Sequence, residues 1–328
     1  MINNAAKERT SPTLLTMKNF MLRSEMIILY ILLLLVATTS IVTPSFLSVA
    51  SIMAVLKQYS FYAIMAVPLT FLMVSLAFDM SIGMLVALPA GVAAVLMRDF
   101  GISLWVVAII AILLGTGLGM INGFLHGVLK INAFIATLST DYVYKGLFRV
   151  LTNQATVDCH ISVQAANISP DIGRVPISII ILIVLAIVGH IILKYTKFGR
   201  SIYIIGNSLE VAREVGISET KVKLILYSAL GAVGGLCSMV YICTYSAVNP
   251  GVGDRYEFFV NAGTVIGGCS IYGGKGTIAG SLIGAAVMTV VQATLRSIGV
   301  PSNLQVLALG VILLSAILID TLKEKKKM

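Results

Sequence analysis

The sequence predicts an all-α, polytopic integral membrane protein of about ten spanning helices, some of them broken or short, and three observations carry that expectation. Of its 328 residues 58% are hydrophobic and only 11% are charged, with a mean hydropathy of +0.99, far from the roughly 25% charged content of soluble domains. Uncharged apolar runs recur along the chain, most of them near the ~20 residues that a helix needs to cross ~30 Å of hydrocarbon. Strand-like alternation is absent, which argues against a barrel.

Taken in order, residues 1–25 read as a polar cytoplasmic tail. The first apolar run has no small-x-small cleavage signal, so it reads as a retained span and not a removed leader. Spans are expected at 26–43, 52–74, 80–97, 104–122, 131–150, 176–194, 224–243, 257–272, 278–296 and 303–320, forming one transmembrane domain over 26–320. It is interrupted by a charged cytoplasmic loop at 195–223 and followed by a basic cytoplasmic tail at 321–328, an anchor for an anionic inner leaflet. With the amino terminus inside, sixteen of the 23 Lys+Arg fall on the cytoplasmic side and six outside, the bias expected of a polytopic protein with both termini in the cytoplasm. The fifth span is the weak one: Asp141, Lys145 and Arg149 share one helix face, as at an outer helix end that reaches water. The polar segment 151–176 beyond it is expected to be a landing surface for an external partner.

Several function classes fall away. The net charge of +9 is scattered, unlike the basic patch of a nucleic-acid binder. Cys159, Cys237, Cys243 and Cys269 lack metal-ligand spacing and read as packing residues; no metal site is expected. His126, His160 and His190 are far apart, with no paired acid and nucleophile, so no catalytic residue is assigned and the chain is not expected to be an enzyme. The glycine-rich segment 263–284 fails as a phosphate loop, since Cys269 stands where Gly is required and Gly276 follows the lysine. Gly267, Gly268, Gly273, Gly274, Gly276, Gly280 and Gly284 read instead as close helix packing around a hairpin turn near 273–276.

Two segments invite functional readings. Asp79 lies between two apolar runs, where a carboxylate is either a functional group or the cap of the following helix. Broken helices expose backbone to substrate in transporters, so both can hold together. Ser75, Ser81, Asn132, Thr137 and Asn261 are further polar candidates for a translocation path. In the charged loop, Leu209, Ala212, Val215 and Gly216 lie on one side of a short helix capped by Asn207 or Ser208, with Glu210, Arg213 and Glu214 on the other. Its mixed charge suits protein contact better than lipid.

Four ordered motifs resemble the ribose-type permease subunits of bacterial ATP-binding cassette sugar importers, over roughly residues 44–320. Phe78-Asp79-Met80-Ser81-Ile82-Gly83 is similar to the family's I-D-L-S-V-G, and Asn132-Ala133-Phe134-Ile135-Ala136-Thr137-Leu138 to its Q-A-F-I-A-T-L. Gly206-Asn207 through Ala212-Arg213 to Gly216-Ile217 matches the G-x-N-x-x-A-A-R-x-S-G-I loop, and Gly267 to Gly284 the glycine-rich segment. The resemblance implies a pair of permeases, identical or paralogous, in the bacterial cytoplasmic membrane. It also implies two ATPase subunits that use ATP and Mg, and an extracytoplasmic sugar-binding protein; no cofactor is expected on this chain. It makes Gly206, Asn207, Glu210, Ala212, Arg213, Glu214, Gly216 and Ile217 an ATPase-coupling helix. The breaks around Asp79 and Asn132 to Thr137, Phe134 included, would border the translocation path, and the cargo would be a pentose, hexose or related polyol. Two glycines that the family places before its I-D are Leu76 and Ala77 here, which should stiffen the approach to Asp79. The alternatives are an ion-gradient-coupled transporter using Asp79 and an intramembrane aspartyl enzyme using Asp79 and Asp141.

Overall fold

The computed structural model describes residues 24–159, 171–172 and 175–325. Among them helices dominate: α1 Ser24–Val42, α2 Val49–Val74, α3 Ile82–Phe100, α4 Leu104–Gly123, α5 Ala133–Thr152, α6 Ile177–Tyr195, α7 Lys197–Asn207, α8 Leu209–Glu214, α9 Glu219–Tyr245, α10 Tyr256–Ile266, α11 Ile278–Ser297 and α12 Ser302–Lys325. Two-residue strands form two antiparallel pairs, β1 (Val157–Asp158) with β4 (Ala247–Val248) and β2 (Asp171–Ile172) with β3 (Val175–Pro176). His160, most of the expected landing segment, the first 23 residues and the end of the basic tail lie outside the described residues.

Six helical stretches are long and apolar enough to cross a membrane: Val49–Val74, Ile82–Phe100, Leu104–Val128, Ile177–Tyr195, Glu219–Tyr245 and Ile278–Ser297. Shorter apolar stretches run through α1 and α12. The other two of the ten expected spans are different in kind. Helix α5 carries the ionisable face of Asp141, Lys145 and Arg149, and α10 has only 11 residues. The span expected at 257–272 ends at Ile266, because Gly267 and Gly268 leave the helix for a turn that continues to the Thr277 cap of α11.

Local chemistry sets the helix starts. The side chains of Ser48, Asn132, Thr196, Ser208, Ser218 and Thr277 accept hydrogen bonds from first-turn N–H groups of α2, α5, α7, α8, α9 and α11. The core lies where α9 crosses α4, α3 and α2, and α11 packs on α10, α2 and α1. Helices α4 and α9 touch backbone to backbone. A methyl group on Gly115 would overlap the Gly231 carbonyl, one on Gly231 the Gly115 carbonyl, and one on Gly235 the Ala111 carbonyl. Small residues at four-residue spacing, Ala111, Gly115 and Gly119 facing Gly231 and Gly235, produce this crossing. The hairpin between α10 and α11 repeats it, with Gly263 and Gly267 against Gly284 and Gly280.

Candidate functional site

Three features converge on α2: a break at its end, a gripping segment beside that break, and a chamber at its other end.

The chain leaves the helix at Ser75 and re-enters one at Ile82, so backbone groups are freed inside the bundle. Buried polar groups without partners are costly, and here neighbouring helices supply the partners. Tyr227 donates to the Phe78 carbonyl at 2.7 Å, Asn261 to the Asp79 carbonyl at 2.9 Å, and the Met80 N–H donates to Thr137 Oγ1 at 2.9 Å. The Asp79 carboxylate is fully buried and accepts from Ser81 N–H (2.6 Å), Ser81 Oγ (2.7 Å) and Asn122 Nδ2 (3.0 Å). Thr140 completes the cluster by donating to Asn122 Oδ1 at 2.7 Å. Asp79 therefore folds the turn ahead of α3; the residue at the cap position itself is Ser81. No Lys or Arg among the described residues pairs with it.

Ser75, Asp79, Ser81, Thr137 and Asn261 are thus brought together, all buried, around one break. Asn132 caps α5 from an exposed position and Phe134 is half exposed beside it. Asp141 shares no hydrogen bond with Asp79.

Helices α7 and α8 form the expected charged loop. Ser208 caps α8, while the Asn207 amide donates to the Tyr203 carbonyl and closes α7. Ala212 is buried; Glu210, Val211, Arg213, Glu214, Val215 and Gly216 are exposed, and Ile217 is half-buried. Placing Val215 on the inner side fails because α8 ends at Glu214, so the helical period no longer applies there. Gly206 has no room for a side chain: a methyl would overlap the Val74 carbonyl and crowd Gly274. Gly274 N–H donates to that same carbonyl at 2.9 Å, and Tyr203 donates to the Gly276 carbonyl at 2.7 Å. Burial raises the Tyr203 phenol above its ordinary value, which keeps it a neutral donor. The end of α2, the loop helices and the glycine turn are consequently one packed junction. Gly268, Gly273, Gly274 and Gly276 form the turn, whereas Gly267, Gly280 and Gly284 make the helix contacts.

At the opposite end of α2 a chamber of about 540 Å³ opens, walled by α2, α9, the segment before α10, and α11. Gln58, Tyr62, Tyr241, Tyr245, Asp254, Gln292 and Arg296 line it, and none of the residues singled out in the sequence does. Their signal is modest, being isolated amides and tyrosines in apolar helices, with Arg296 resembling an ordinary span end. Lys145 of α5 reaches the Asp254 carboxylate at 2.5 Å. Among the described residues, no group of three or more His, Cys, Asp and Glu side chains could hold a metal ion.

The family model described as branched-chain amino acid transport system / permease component matches residues 51–317, a stretch containing the break, the junction and the whole chamber. The chain belongs to this permease family. It is 33% identical over 297 residues to the ribose import permease protein of Escherichia coli (strain K12), covering 89% of this chain and 92% of that relative. Identity to the ribose import permease of Bacillus subtilis (strain 168) is 32%, covering 89% and 91%. Identity to the xylose transport system permease of Haemophilus influenzae is 27%, covering 94% and 100%. No solved structure matches the chain significantly. In permease terms the geometry offers a chamber and a junction joined by one long helix.

Proposed function

We propose that this chain is the membrane-spanning permease subunit of an ATP-binding cassette importer and carries a small sugar, a ribose-like pentose, a hexose or a related polyol. The observation that carries this reading is the 33% identity to a ribose import permease over 89% of the chain. Relatives named for xylose and fructose widen the cargo class. Ten segments cross the cytoplasmic membrane, α5 among them and the short α10 only together with the irregular turn that follows it, with both termini and the α7–α8 loop in the cytoplasm.

A second permease, either a copy or a paralogue, completes the pore. Two ATPase subunits dock on α8 from below, and a sugar-binding protein delivers cargo from outside. ATP and Mg act on the ATPases; the permease hydrolyses nothing. ATPase closure moves α8, and the junction of Gly206, Val74 and Gly274 passes that motion to α2 and the break. The ion-coupled alternative is not favoured, since Asp79 is fully buried among structural hydrogen bonds and is absent from the chamber wall.

Vesicles containing the complex test this. Uptake of labelled D-ribose, D-xylose or D-fructose should need ATP and the ATPase subunits and should persist when ion gradients are collapsed. Gradient-driven uptake by the purified chain alone would reject the reading.

A further inference from the structure

One wall of the chamber, where α2 meets α11, is a hydrogen-bonded rail with donors to spare. Gln58 Nε2 donates to Tyr62 Oη at 3.1 Å and to Gln292 Oε1; Tyr62 Oη donates to Gln292 Oε1 at 3.1 Å; Arg296 Nη2 donates to Gln58 Oε1. These bonds occupy the amide oxygens. They leave both N–H groups of Gln292 and most of the Arg296 guanidinium without a hydrogen-bond partner among the described residues. Beside the rail stands an aromatic cluster. Tyr241 and Tyr245 lie 4.6 Å apart, and Phe61 is 5.7 and 5.9 Å from them. Tyr245 is 49% exposed, so its ring offers open surface.

Resting on the permease reading, we propose that this chamber is the cargo site and takes one neutral polyhydroxylated ring. Gln292 and Arg296 donate to its hydroxyl and ring oxygens, and Tyr245 covers its C–H face. The size fits, because small-ligand sites run from about 300 to 1,000 Å³, and this one is about 540 Å³. Charges of both signs stand at the wall, Lys57 and Arg296 against an Asp254 carboxylate already paired with Lys145, so the neutral class rests on the uncharged amide donors and tyrosine rings and is what the phosphorylated sugar tests. A wall of unspent donors selects for oxygen acceptors, since a ligand lacking them would leave those donors unpaired.

The discriminating variant is Gln292→Glu. It keeps the side chain's length and an oxygen to accept from Gln58 and Tyr62, and replaces the two free N–H donors with a negatively charged carboxylate oxygen that can only accept. The complex with its ATPases, in proteoliposomes, is given binding protein preloaded in turn with labelled D-ribose, D-xylose and D-fructose, and separately is offered D-ribose 5-phosphate. Gln292→Glu should lower ATP-driven uptake of the carried sugar roughly tenfold, while ATP hydrolysis by the sugar-free complex stays at the wild-type level. Tyr62→Phe, which loosens the rail without touching the free donors, should give a smaller loss of roughly threefold. Uptake within twofold of wild type in Gln292→Glu overturns the cargo site while leaving the permease reading standing. Preference for D-ribose 5-phosphate overturns the neutral class. A wild-type complex that carries none of the three sugars refutes the sugar-permease reading, and the cargo assignment falls with it.

Discussion

Leu76 holds φ at +60°, in the left-handed region, at one of the two positions where the resembling permeases place glycine. A leucine in that conformation costs about 1–2 kcal/mol, and it persists because the side chain is packed onto Gly273, where no larger residue would fit. A β-branched residue tolerates this backbone still less. Leu76→Val should therefore destabilise the solubilised protein by about 1–2 kcal/mol, whereas Leu76→Gly, which relieves the backbone as it loses packing, should fall by less. Thermal unfolding in detergent measures both, and equal losses would remove the strain from Leu76. The same break depends on Thr137, whose hydroxyl accepts the buried Met80 N–H. Thr137→Val preserves shape and orphans that donor, for an expected loss of about 1–3 kcal/mol in the same measurement. The departure from glycine is visible in the sequence. The sign of φ is not, because it accompanies the packing of the Leu76 side chain on Gly273, far along the chain.

At the scale of elements, α7 and α8 act through a junction that tolerates almost no change. Gly206→Ala drives a methyl into the Val74 carbonyl, so α7 must separate from α2 and from the glycine turn. ATP-driven uptake should drop at least tenfold, with the chain still present in the membrane. Gly117→Ala, where an added methyl meets nothing within 4 Å, is the matched control and should leave uptake unchanged. The exposed face of α8 makes a separate claim. Exchanging its charges, with Arg213→Glu together with Glu214→Arg, should weaken copurification of the ATPase and spare membrane insertion. Undiminished copurification would take docking away from α8. The short helix and its Ser208 cap were legible because each depends on neighbours within one turn or two, and the Gly280 and Gly284 contact because small residues recur at four-residue spacing on both sides of a short hairpin. The α4–α9 crossing was equally written in the Ala111, Gly115, Gly119 and Gly231, Gly235 spacing, yet uniform hydrophobicity around those helices hides which face meets which partner.

Across the whole molecule, helix positions follow from hydropathy, since lipid demands continuous apolar stretches. The chamber does not, because its wall is assembled from α2, α9, α10 and α11, residues 51 to 297, and no local pattern joins Gln58 to Gln292. Helix α2 spans both ends of the machine: Tyr62 is on the chamber wall, and Val74, ~18 Å further along the helix at 1.5 Å per residue, is in the junction. Between them lies Pro68, buried inside the helix. A proline there cannot donate to the carbonyl four residues back and crowds it, so the rod is weakest at the midpoint between cargo and lever. If the lever moves the chamber by bending α2, restoring the missing donor should stiffen the transmission while stabilising the resting bundle. Pro68→Ala is then expected to raise the thermal midpoint of the detergent-solubilised complex and to slow ATP-driven sugar uptake several-fold, with ATPase copurification intact. A stabilised variant with undiminished uptake would mean that α2 moves as a rigid body. In that case the hinge would have to lie in the break itself, where Tyr227, Asn261 and Thr137 hold the backbone between α2 and α3.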